Sequence, residues 1–230
     1  MLRSQATRDL WARLLHARYR LFQRHRYDRL ALEEVAGRPF LVLPHVFNPA
    51  LFGTGRWLAE SLEQVPIAPD STVLDVGTGS GVTAILAAPL AKRVVAIDVN
   101  PAAVRCARIN ALLNRVEDRV EVLEGDLFEP VRGRRFDVVL FNPPFYRGEP
   151  RDALDRAWRS LDVVERFAAH LGEHLTPGGH ARVILSSRGA TLEFLRVFRA
   201  RALSIETLWQ RDVVNEVLTI HRLTPDLSRV

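Results

Sequence analysis

From Thr72 onward, short apolar runs alternate with longer segments whose apolar residues recur at helical spacing. This alternation is typical of a parallel sheet that is covered by helices on both faces. The pattern predicts strands at residues 72–76, 93–97, 119–123, 136–141 and 180–186. It predicts helices at residues 81–90, 101–113, 152–175 and 189–200.

Two further strands are predicted near the carboxyl end, at residues 203–210 and 214–222. Only a short polar link separates them, and a parallel pair would need a crossover of a dozen or more residues. We therefore expect these two strands to form an antiparallel pair at one edge of the sheet. The whole pattern predicts an α/β fold.

The segment before the sheet has a different texture. Apolar residues recur at helical spacing within residues 7–27, and arginines occupy most of the remaining faces, which predicts an amphipathic helix. Residues 1–39 contain nine arginines and four acidic residues, and this excess equals the net charge of +5 for the whole chain. The arginine face either lies in solvent, while the helix packs on the domain, or contacts an acidic macromolecule. A second helix is predicted from about Gly55.

We therefore divide the chain into a basic helical N-terminal extension, residues 1–39, and one main domain, residues 40–230. No apolar run approaches the roughly 20 residues that a membrane span requires, and the N-terminus lacks the apolar core of a secretory signal. The sequence predicts a cytoplasmic protein. The single cysteine, Cys106, offers neither a disulfide nor a cysteine-based zinc site within one chain.

A glycine-rich loop follows the first predicted strand, in "VLDVGTGSGVTAILAA". Glycines let the backbone turn tightly and approach a ligand, and the next helix directs its free N–H groups to the same point. A dinucleotide fingerprint would place its third glycine where Val82 stands, so that spacing is not met. An acid directly before the loop, Asp75, also suits an ammonium group better than a pyrophosphate.

The spacing D-x-G-x-G-x-G resembles the first motif of class I S-adenosylmethionine-dependent methyltransferases. The resemblance implies a Rossmann-like fold with a seven-stranded, mostly parallel sheet and an antiparallel edge hairpin. It implies S-adenosyl-L-methionine as the cofactor, with its methionine end held at Asp75, Gly77, Thr78, Gly79 and Gly81. By the same resemblance Asp98 accepts the ribose hydroxyls, Asp126 contacts the adenine amino group and Leu127 covers the ring.

The fourth strand ends in "FNPPF", which is similar to the N-P-P-[YF] motif of enzymes that methylate a planar nitrogen. Such a nitrogen is a poor nucleophile because its lone pair is delocalised, so it has to be aligned with the methyl group. The Asn142 side chain and the Pro143 carbonyl can accept its two N–H groups. Pro143 and Pro144 make the end of the strand rigid, and Phe145 offers a flat apolar face to the acceptor. These four residues are the predicted substrate-binding set. Asn142, Pro143 and Phe145 are also the predicted catalytic residues, and Asn142 is predicted to contact the cofactor as well.

Residues 40–187 resemble the HemK family of glutamine methyltransferases, particularly its short members. The lead-in "VFNPALFGTGRW" maps Phe47, Pro49 and a cofactor-proximal Thr54 onto that family. The family usually has tyrosine in place of Phe145, and "YRGEP" is not its common continuation. The resemblance implies that the acceptor is a glutamine amide in a protein, such as a translation release factor.

Two other functions are compatible with the same motifs. "NPPF" followed closely by Gly148 also resembles RNA guanine-N2 methyltransferases, which fits the basic extension and would make RNA the acceptor through an exocyclic base amine. A noncatalytic cofactor-binding subunit is the third hypothesis. "HLGEH", residues 170–174, matches a zinc-peptidase pattern, but Gly172 interrupts the helix and no third ligand is evident, so we expect no metal.

Overall fold

A β-hairpin precedes the main sheet in the computed structural model, which describes residues 29–152, 154–213 and 216–226. Strands β1 (Ala31–Val35) and β2 (Arg38–Val42) pair antiparallel. This corrects the prediction for residues 31–39, which are not helical, and the hairpin crosses the proposed boundary at residue 39. Its alternating pattern buries Phe40 and Val42, as a half-buried strand requires. The amphipathic helix predicted within residues 7–27 lies outside the described residues.

Further strands and helices alternate along the described part of the chain. The strands are β3 (Thr72–Val76), β4 (Arg93–Asp98), β5 (Val120–Glu124), β6 (Phe136–Phe141), β7 (Tyr146–Arg147), β8 (Arg159–Ser160), β9 (Leu175–Ser186), β10 (Leu203–Asp212) and β11 (Val217–Pro225). The α-helices are α1 (Pro49–Phe52), α2 (Thr54–Gln64), α3 (Val82–Ala87), α4 (Pro101–Leu113), α5 (Val163–His170) and α6 (Thr191–Ala200). Single 3₁₀ turns lie at Ala88–Leu90, Glu129–Val131, Asp155–Ala157 and Leu171–His174.

Within the described residues, seven strands form one sheet in the order β10-β11-β9-β6-β3-β4-β5. Strand β11 runs antiparallel to both of its neighbours, and the other adjacent pairs are parallel. The predicted mostly parallel sheet with an antiparallel edge hairpin is therefore confirmed. The chain proceeds from β3 outward through β4 and β5 and then returns to β6 on the other side of β3. This reversal opens a crevice at the carboxyl ends of β3, β4 and β6.

Helices cover both faces of this sheet. Leu58 and Leu62 of α2 pack with Ala84 of α3 and Val104 of α4 on one face. The other face carries the aromatic residues of α5 and α6, and the rings of Phe141 and Phe167 stack there with centroids 4.2 Å apart. Successive strand residues point to opposite faces, so a strand buried between two helical layers is apolar at almost every position. Among the described residues, no helix combines the length and apolar character needed to cross a membrane.

The predicted helix at residues 152–175 is wrong over its first half. Only Val163–His170 is α-helical, and the residues before it form a 3₁₀ turn and strand β8, which pairs parallel with β7. Asp155 holds this arrangement, because its carboxylate accepts from the backbone and guanidinium of Arg151 and forms an ion pair with Arg159. The Tyr146 N–H also donates to the Trp158 carbonyl at 2.8 Å. These local contacts replace the intrahelical hydrogen bonds.

Candidate active site

The glycine loop between β3 and α3 is closed by backbone hydrogen bonds. The N–H groups of Gly77 and Thr78 both donate to the Ile97 carbonyl at 2.9 Å. Gly77 and Gly79 have φ values of 70° and 58°, and a Cβ on either would meet no atom within 4 Å. The loop thus presents bare backbone to open space, which is the shape that a closely bound ligand requires. Gly81 differs, because a Cβ there would lie 3.1 Å from Ala107 of α4.

Asp75 is buried at the end of β3, beneath this loop. Its carboxylate accepts a hydrogen bond of 2.6 Å from the Thr78 hydroxyl, and the Ala84 N–H is a second neutral donor. Burial raises the pKa of Asp75 to about 7, with a smaller contribution from the nearby charge of Asp98, although the hydrogen bonds from Thr78 and Ala84 act in the opposite direction. A buried carboxylate with neutral donors is an environment that a ligand ammonium group would complete. The donor set therefore fits the methionine end of S-adenosylmethionine.

Asp98 ends β4 and connects two loops. Its Oδ2 accepts from Gly79 N at 2.8 Å, and its Oδ1 accepts from Asn100 N at 2.9 Å. Burial raises the pKa of Asp98, whereas these two backbone hydrogen bonds lower it. The Val99 N–H is a third backbone donor to this carboxylate, which leaves one of its four lone-pair sites for a ligand hydroxyl.

Asp126 and Leu127 follow β5, next to Asp98. The N–H of Gly125 donates to the Asp98 carbonyl at 3.0 Å, which joins the ends of the two strands. Arg166 of α5 donates to Oδ2 of Asp126 at 2.5 Å, an ion pair that sequence reasoning missed. Leu127 has a φ of 48° and packs against the apolar core of this face. The structure therefore gathers the predicted acids along one edge of the crevice.

Asn142 follows β6 on the other side of β3. Its Nδ2 donates to the Thr54 hydroxyl at 3.0 Å, and Thr54 is the first residue of α2. The oxygen and nitrogen of an amide point in different directions from the same planar carbon, so a bond from Nδ2 to Thr54 turns Oδ1 away from Thr54. Thr54, predicted to lie near the cofactor, thus contacts the predicted catalytic side chain directly. Its own side chain is buried.

The backbone of the Pro-Pro-Phe segment is supported by the loop between β9 and α6. The N–H of Ala190 donates to the Phe145 carbonyl at 2.9 Å, and a Cβ on Gly189 would lie 2.5 Å from that oxygen. Pro143 is buried, whereas Pro144 and Phe145 are half-buried. Gly189 is therefore required at this position, and the only signal in the sequence was a glycine shortly after a predicted strand.

The continuation after Phe145 is held by Arg147. Its guanidinium donates to both oxygens of Glu165 at 2.8 and 2.5 Å, contacts Glu193 at 2.9 Å and lies over the ring of Phe194. Bidentate arginine–carboxylate pairs fix geometry as well as charge. The uncommon "YRGEP" continuation thus attaches the NPPF segment to α5 and α6. Sequence reasoning did not assign this role.

An aromatic pair joins the lead-in to the segment that follows NPPF. The rings of Phe47 and Trp158 meet edge to face with centroids 5.5 Å apart. Asn48 caps α1, because its side chain accepts from Ala50 N at 3.0 Å, and it donates to Glu33 of β1. Asn followed by Pro at a helix start is the signal that could have identified this cap. Phe47, Pro49 and Thr54 thus all lie on the segment that leads from the hairpin into α2.

The two histidines of "HLGEH" do not converge on a common point. His170 lies 3.6 Å from Glu173, whereas His174 contacts the Arg134 carbonyl at 2.9 Å and stacks on Phe128. In the part of the chain that the structure describes, no group of three or more His, Cys, Asp or Glu side chains is placed to hold a metal ion.

The order reversal at β3, the glycine loop and the acids at successive strand ends together define a class I Rossmann-like methyltransferase, a class that uses S-adenosylmethionine. The chain belongs to the methyltransferase small domain family, whose model matches residues 39–203.

The proteins similar to the chain include two curated relatives and one solved structure. The release factor glutamine methyltransferase of Koribacter versatilis is 37% identical over 166 residues, 64% of this chain and 57% of that protein. The putative protein N5-glutamine methyltransferase of Methanocaldococcus jannaschii is 32% identical over 182 residues, 75% of this chain and 88% of that protein. The T. thermophilus 16S rRNA N2 G1207 methyltransferase, in complex with AdoMet and guanosine, has a TM-score of 0.68 and 21% identity over 86% of this chain and 50% of that chain, which establishes the shared fold.

Proposed function

We propose that the protein is an S-adenosylmethionine-dependent N-methyltransferase whose acceptor is the side-chain amide of a protein glutamine. The observation that carries this proposal is the 3.0 Å hydrogen bond from Asn142 Nδ2 to Thr54. It orients the Asn142 side chain, which is the one side chain of the NPPF segment that can accept a hydrogen bond from an N–H group of the substrate amide. The amide lies in the crevice that also contains the glycine loop, so an acceptor and a methyl donor can meet there.

The cofactor-binding residues we propose are those at the carboxyl ends of β3, β4 and β5. The Asp75 carboxylate and the backbone of Gly77, Thr78, Gly79 and Gly81 would hold the methionine end. Asp98 would accept from a ribose hydroxyl, and Asp126 with Leu127 would contact the adenine. The structure supports this set through the open space at Gly77 and Gly79 and the burial of the Asp75 carboxylate among neutral donors.

The bound cofactor would supply a methyl group on a positively charged sulfur. The acceptor nitrogen would attack in line as the carbon–sulfur bond breaks, and the sulfur would leave as a neutral thioether. The methylated nitrogen would then lose one proton to solvent water. Asn142 Oδ1 and the Pro143 carbonyl would accept the two N–H groups and direct the lone pair at the methyl carbon. Phe145 and Pro144 would flank the flat amide. Alignment of this kind contributes several kcal/mol to rate acceleration in enzymes.

The choice of a protein acceptor follows the relatives. One relative acts on release factors and the other is named a protein N5-glutamine methyltransferase. The chain spans little more than half the length of the first of these, so its acceptor is our proposal, with a translation factor as the expected partner. The cytoplasm, predicted from the sequence as the location, is where such a factor works. We retain the division into residues 1–39 and 40–230 as a proposal.

The function is tested by incubating the protein with tritiated S-adenosylmethionine and a cell lysate, then separating protein from RNA. We expect label in protein, recovered as N5-methylglutamine after complete enzymatic digestion and as methylamine after acid hydrolysis, which cleaves the side-chain amide. Asn142→Ala should abolish labelling while calorimetry still detects cofactor binding within about threefold of wild type. The matched control, Asn114→Ala on the far end of α4, should label as wild type does.

RNA labelling is the outcome that would favour the second candidate. The arginine excess of residues 1–39 is the observation behind it. Label in RNA, with binding that weakens steeply with salt and is lost when residues 1–39 are removed, would replace the glutamine acceptor by a base amine. Absence of S-adenosylmethionine binding would overturn both candidates.

A further inference from the structure

Arg182 is a fully buried arginine in the centre of β9. Its relative exposure is 0%, and its guanidinium lies beneath the carboxyl end of α2. Nη1 donates to the Ser61 carbonyl at 2.5 Å, and Nη2 donates to the Val65 carbonyl at 2.6 Å. Val65 is the residue that caps this helix. One planar side chain therefore bonds two carbonyls at the end of α2, where a helix has partial negative charge. The Ser61 carbonyl also accepts from the Val65 N–H at 3.0 Å, whereas the Val65 carbonyl lies beyond the last turn of the helix.

The surroundings keep this cation in place. Arg182 Nε donates to His180 Nε2 at 3.2 Å, and burial with two nearby arginines lowers the pKa of His180 to about 4, so the ring is neutral and can accept. Burial, assisted by Arg222, lowers the pKa of Arg182 to about 10, which still leaves the guanidinium charged at neutral pH. A buried charge is costly unless it is hydrogen-bonded. The helix end meets that requirement.

Helix α2 connects this contact to the proposed active site. The helix has 11 residues, which corresponds to a length of about 16 Å. Arg182 holds its last turn and Thr54 forms its first. The β6 partner of Arg182 in the sheet register is Leu140, two residues before Asn142. The carboxyl end of α2 is thus held by β9. Its amino end contacts Asn142, which follows β6, the strand paired with β9.

We infer that Arg182 is a positioning residue: by holding the carboxyl end of α2 against β9, it sets the axial position of the helix at which the Thr54 hydroxyl accepts from the Asn142 amide. A movement of α2 that takes the Thr54 hydroxyl about 1 Å away from Asn142 along the line of their 3.0 Å bond would lengthen it beyond hydrogen-bonding distance. The Asn142 amide could then rotate, and its oxygen would no longer point consistently at the acceptor. The catalytic part of this inference rests on the proposed function, whereas its structural part does not.

The direct readout is the side-chain amide of Asn142, followed by ¹H–¹⁵N NMR and identified by its absence in Asn142→Ala. In the wild type, the Nδ2 proton bonded to Thr54 should exchange slowly with water. Arg182→Met should accelerate that exchange about tenfold, the effect expected from the loss of one hydrogen bond. Arg182→Lys retains the charge but not the fork that grips two carbonyls, so it should fold even if the methionine variant does not, and should give a smaller acceleration.

Arg222→Met is the matched control. Arg222 is the β11 partner of Arg182 in the register, and it pairs with Glu206 on β10 rather than with α2. Arg222→Met makes the same change of side chain as Arg182→Met, on the strand next to β9. We expect it to leave the exchange of the Asn142 amide at the wild-type rate. If Arg222→Met accelerates exchange as strongly as Arg182→Met, the effect is a general loosening of the sheet and the inference is overturned.

A double-mutant cycle with Thr54→Val completes the test. If Arg182 acts through Thr54, Arg182→Met should cause no further acceleration in the Thr54→Val background. At saturating S-adenosylmethionine, Arg182→Met should likewise lower the rate of methyl transfer to protein in the wild-type background and should not lower it further in the Thr54→Val background. Additive effects, or unchanged protection of Asn142 in Arg182→Met, would overturn the inference. A wild-type protein that shows the protected amide but transfers no methyl group would instead contradict the proposed function.

Discussion

The Asn142 side-chain amide donates a hydrogen bond to the Thr54 hydroxyl, and these two residues lie 88 positions apart in the chain. This bond joins the first residue of α2 to the end of β6. It leaves the amide oxygen directed away from Thr54, where it can accept from a ligand. The predictions below follow from this relationship and from the acids and glycines across the crevice.

Thr54→Val should lower the maximal rate of methyl transfer about tenfold, because the Asn142 amide loses the acceptor that fixes its orientation. The dissociation constant of S-adenosylmethionine should change by less than about threefold. Steady-state kinetics with labelled cofactor and calorimetry measure the two quantities.

Thr72→Val is the control for Thr54→Val, since it removes a Thr72–Asp137 hydrogen bond at the amino ends of β3 and β6, away from the crevice. It should leave the rate unchanged. If Thr54→Val instead weakens cofactor binding and spares the rate, Thr54 belongs to the cofactor site, as the sequence first suggested.

Affinity for S-adenosylmethionine should increase as pH rises from about 5.5 to 7.5. Burial raises the pKa of Asp75 to about 7 in the ligand-free protein, so below that pH the carboxyl is protonated and cannot pair with an ammonium group. The dissociation constant should fall by up to about tenfold per pH unit in this range and then level off. Asp75→Asn should bind weakly and show a flat profile in calorimetry. A flat wild-type profile would contradict the assignment.

Asp75 should also make the ligand-free protein less stable as pH rises. The folded pKa of about 7 lies above the ordinary value of 3.8, so the folded state holds the proton more tightly. The stability that this group contributes is complete below about pH 4 and is lost as pH rises through 7. Asp75→Asn resembles the protonated acid, so it should have a higher denaturation midpoint than wild type at pH 8 and a smaller advantage at pH 5.5. An advantage that grows toward low pH would reverse the sign of this prediction.

Asp98→Asn should raise the dissociation constant of S-adenosylmethionine by at least about tenfold. Both carboxylate oxygens accept backbone N–H groups, from Gly79 and Asn100. An asparagine NH₂ would place a donor against one of these donors or against a ribose hydroxyl. Asp118→Asn makes the same charge change at an exposed position and should bind normally. Unchanged affinity in Asp98→Asn would remove Asp98 from the cofactor site.

Gly81→Ala should destabilise the fold by about 1–3 kcal/mol, measured by denaturant unfolding. Gly81 has a φ of 86°, and its Cβ would lie 3.1 Å from Ala107 and 3.2 Å from Ile85. Gly133→Ala is the control, because Gly133 has a φ of 76° but no atom within 4 Å of a Cβ. It should lose only about 1 kcal/mol, the cost of the backbone conformation alone. Equal losses in the two variants would show that packing against α4 is unimportant.

Local pattern was sufficient for the central sheet. Predicted strands 72–76 and 136–141 coincide with β3 and β6, and the predicted helix at 101–113 coincides with α4. Central parallel strands are buried on both faces, so most of their positions are apolar, with Asp75 and Asp137 as the charged exceptions here. Asn100-Pro101 is a strong helix start. Pattern failed at residues 152–162, where ion pairs of Asp155 and pairing between β7 and β8 override helical spacing.

The sequence by itself determined the order of strands and helices and the residue types at each strand end, because both depend on neighbours along the chain. Only the tertiary structure decided that Thr54 meets Asn142, that Arg166 holds Asp126 and that Arg182 holds the end of α2. These contacts arise from how helices dock across the sheet, and docking depends on the packing of both faces. A one-dimensional pattern does not contain that relation, so the sequence could predict the residue types of the candidate site but not how their side chains are aligned.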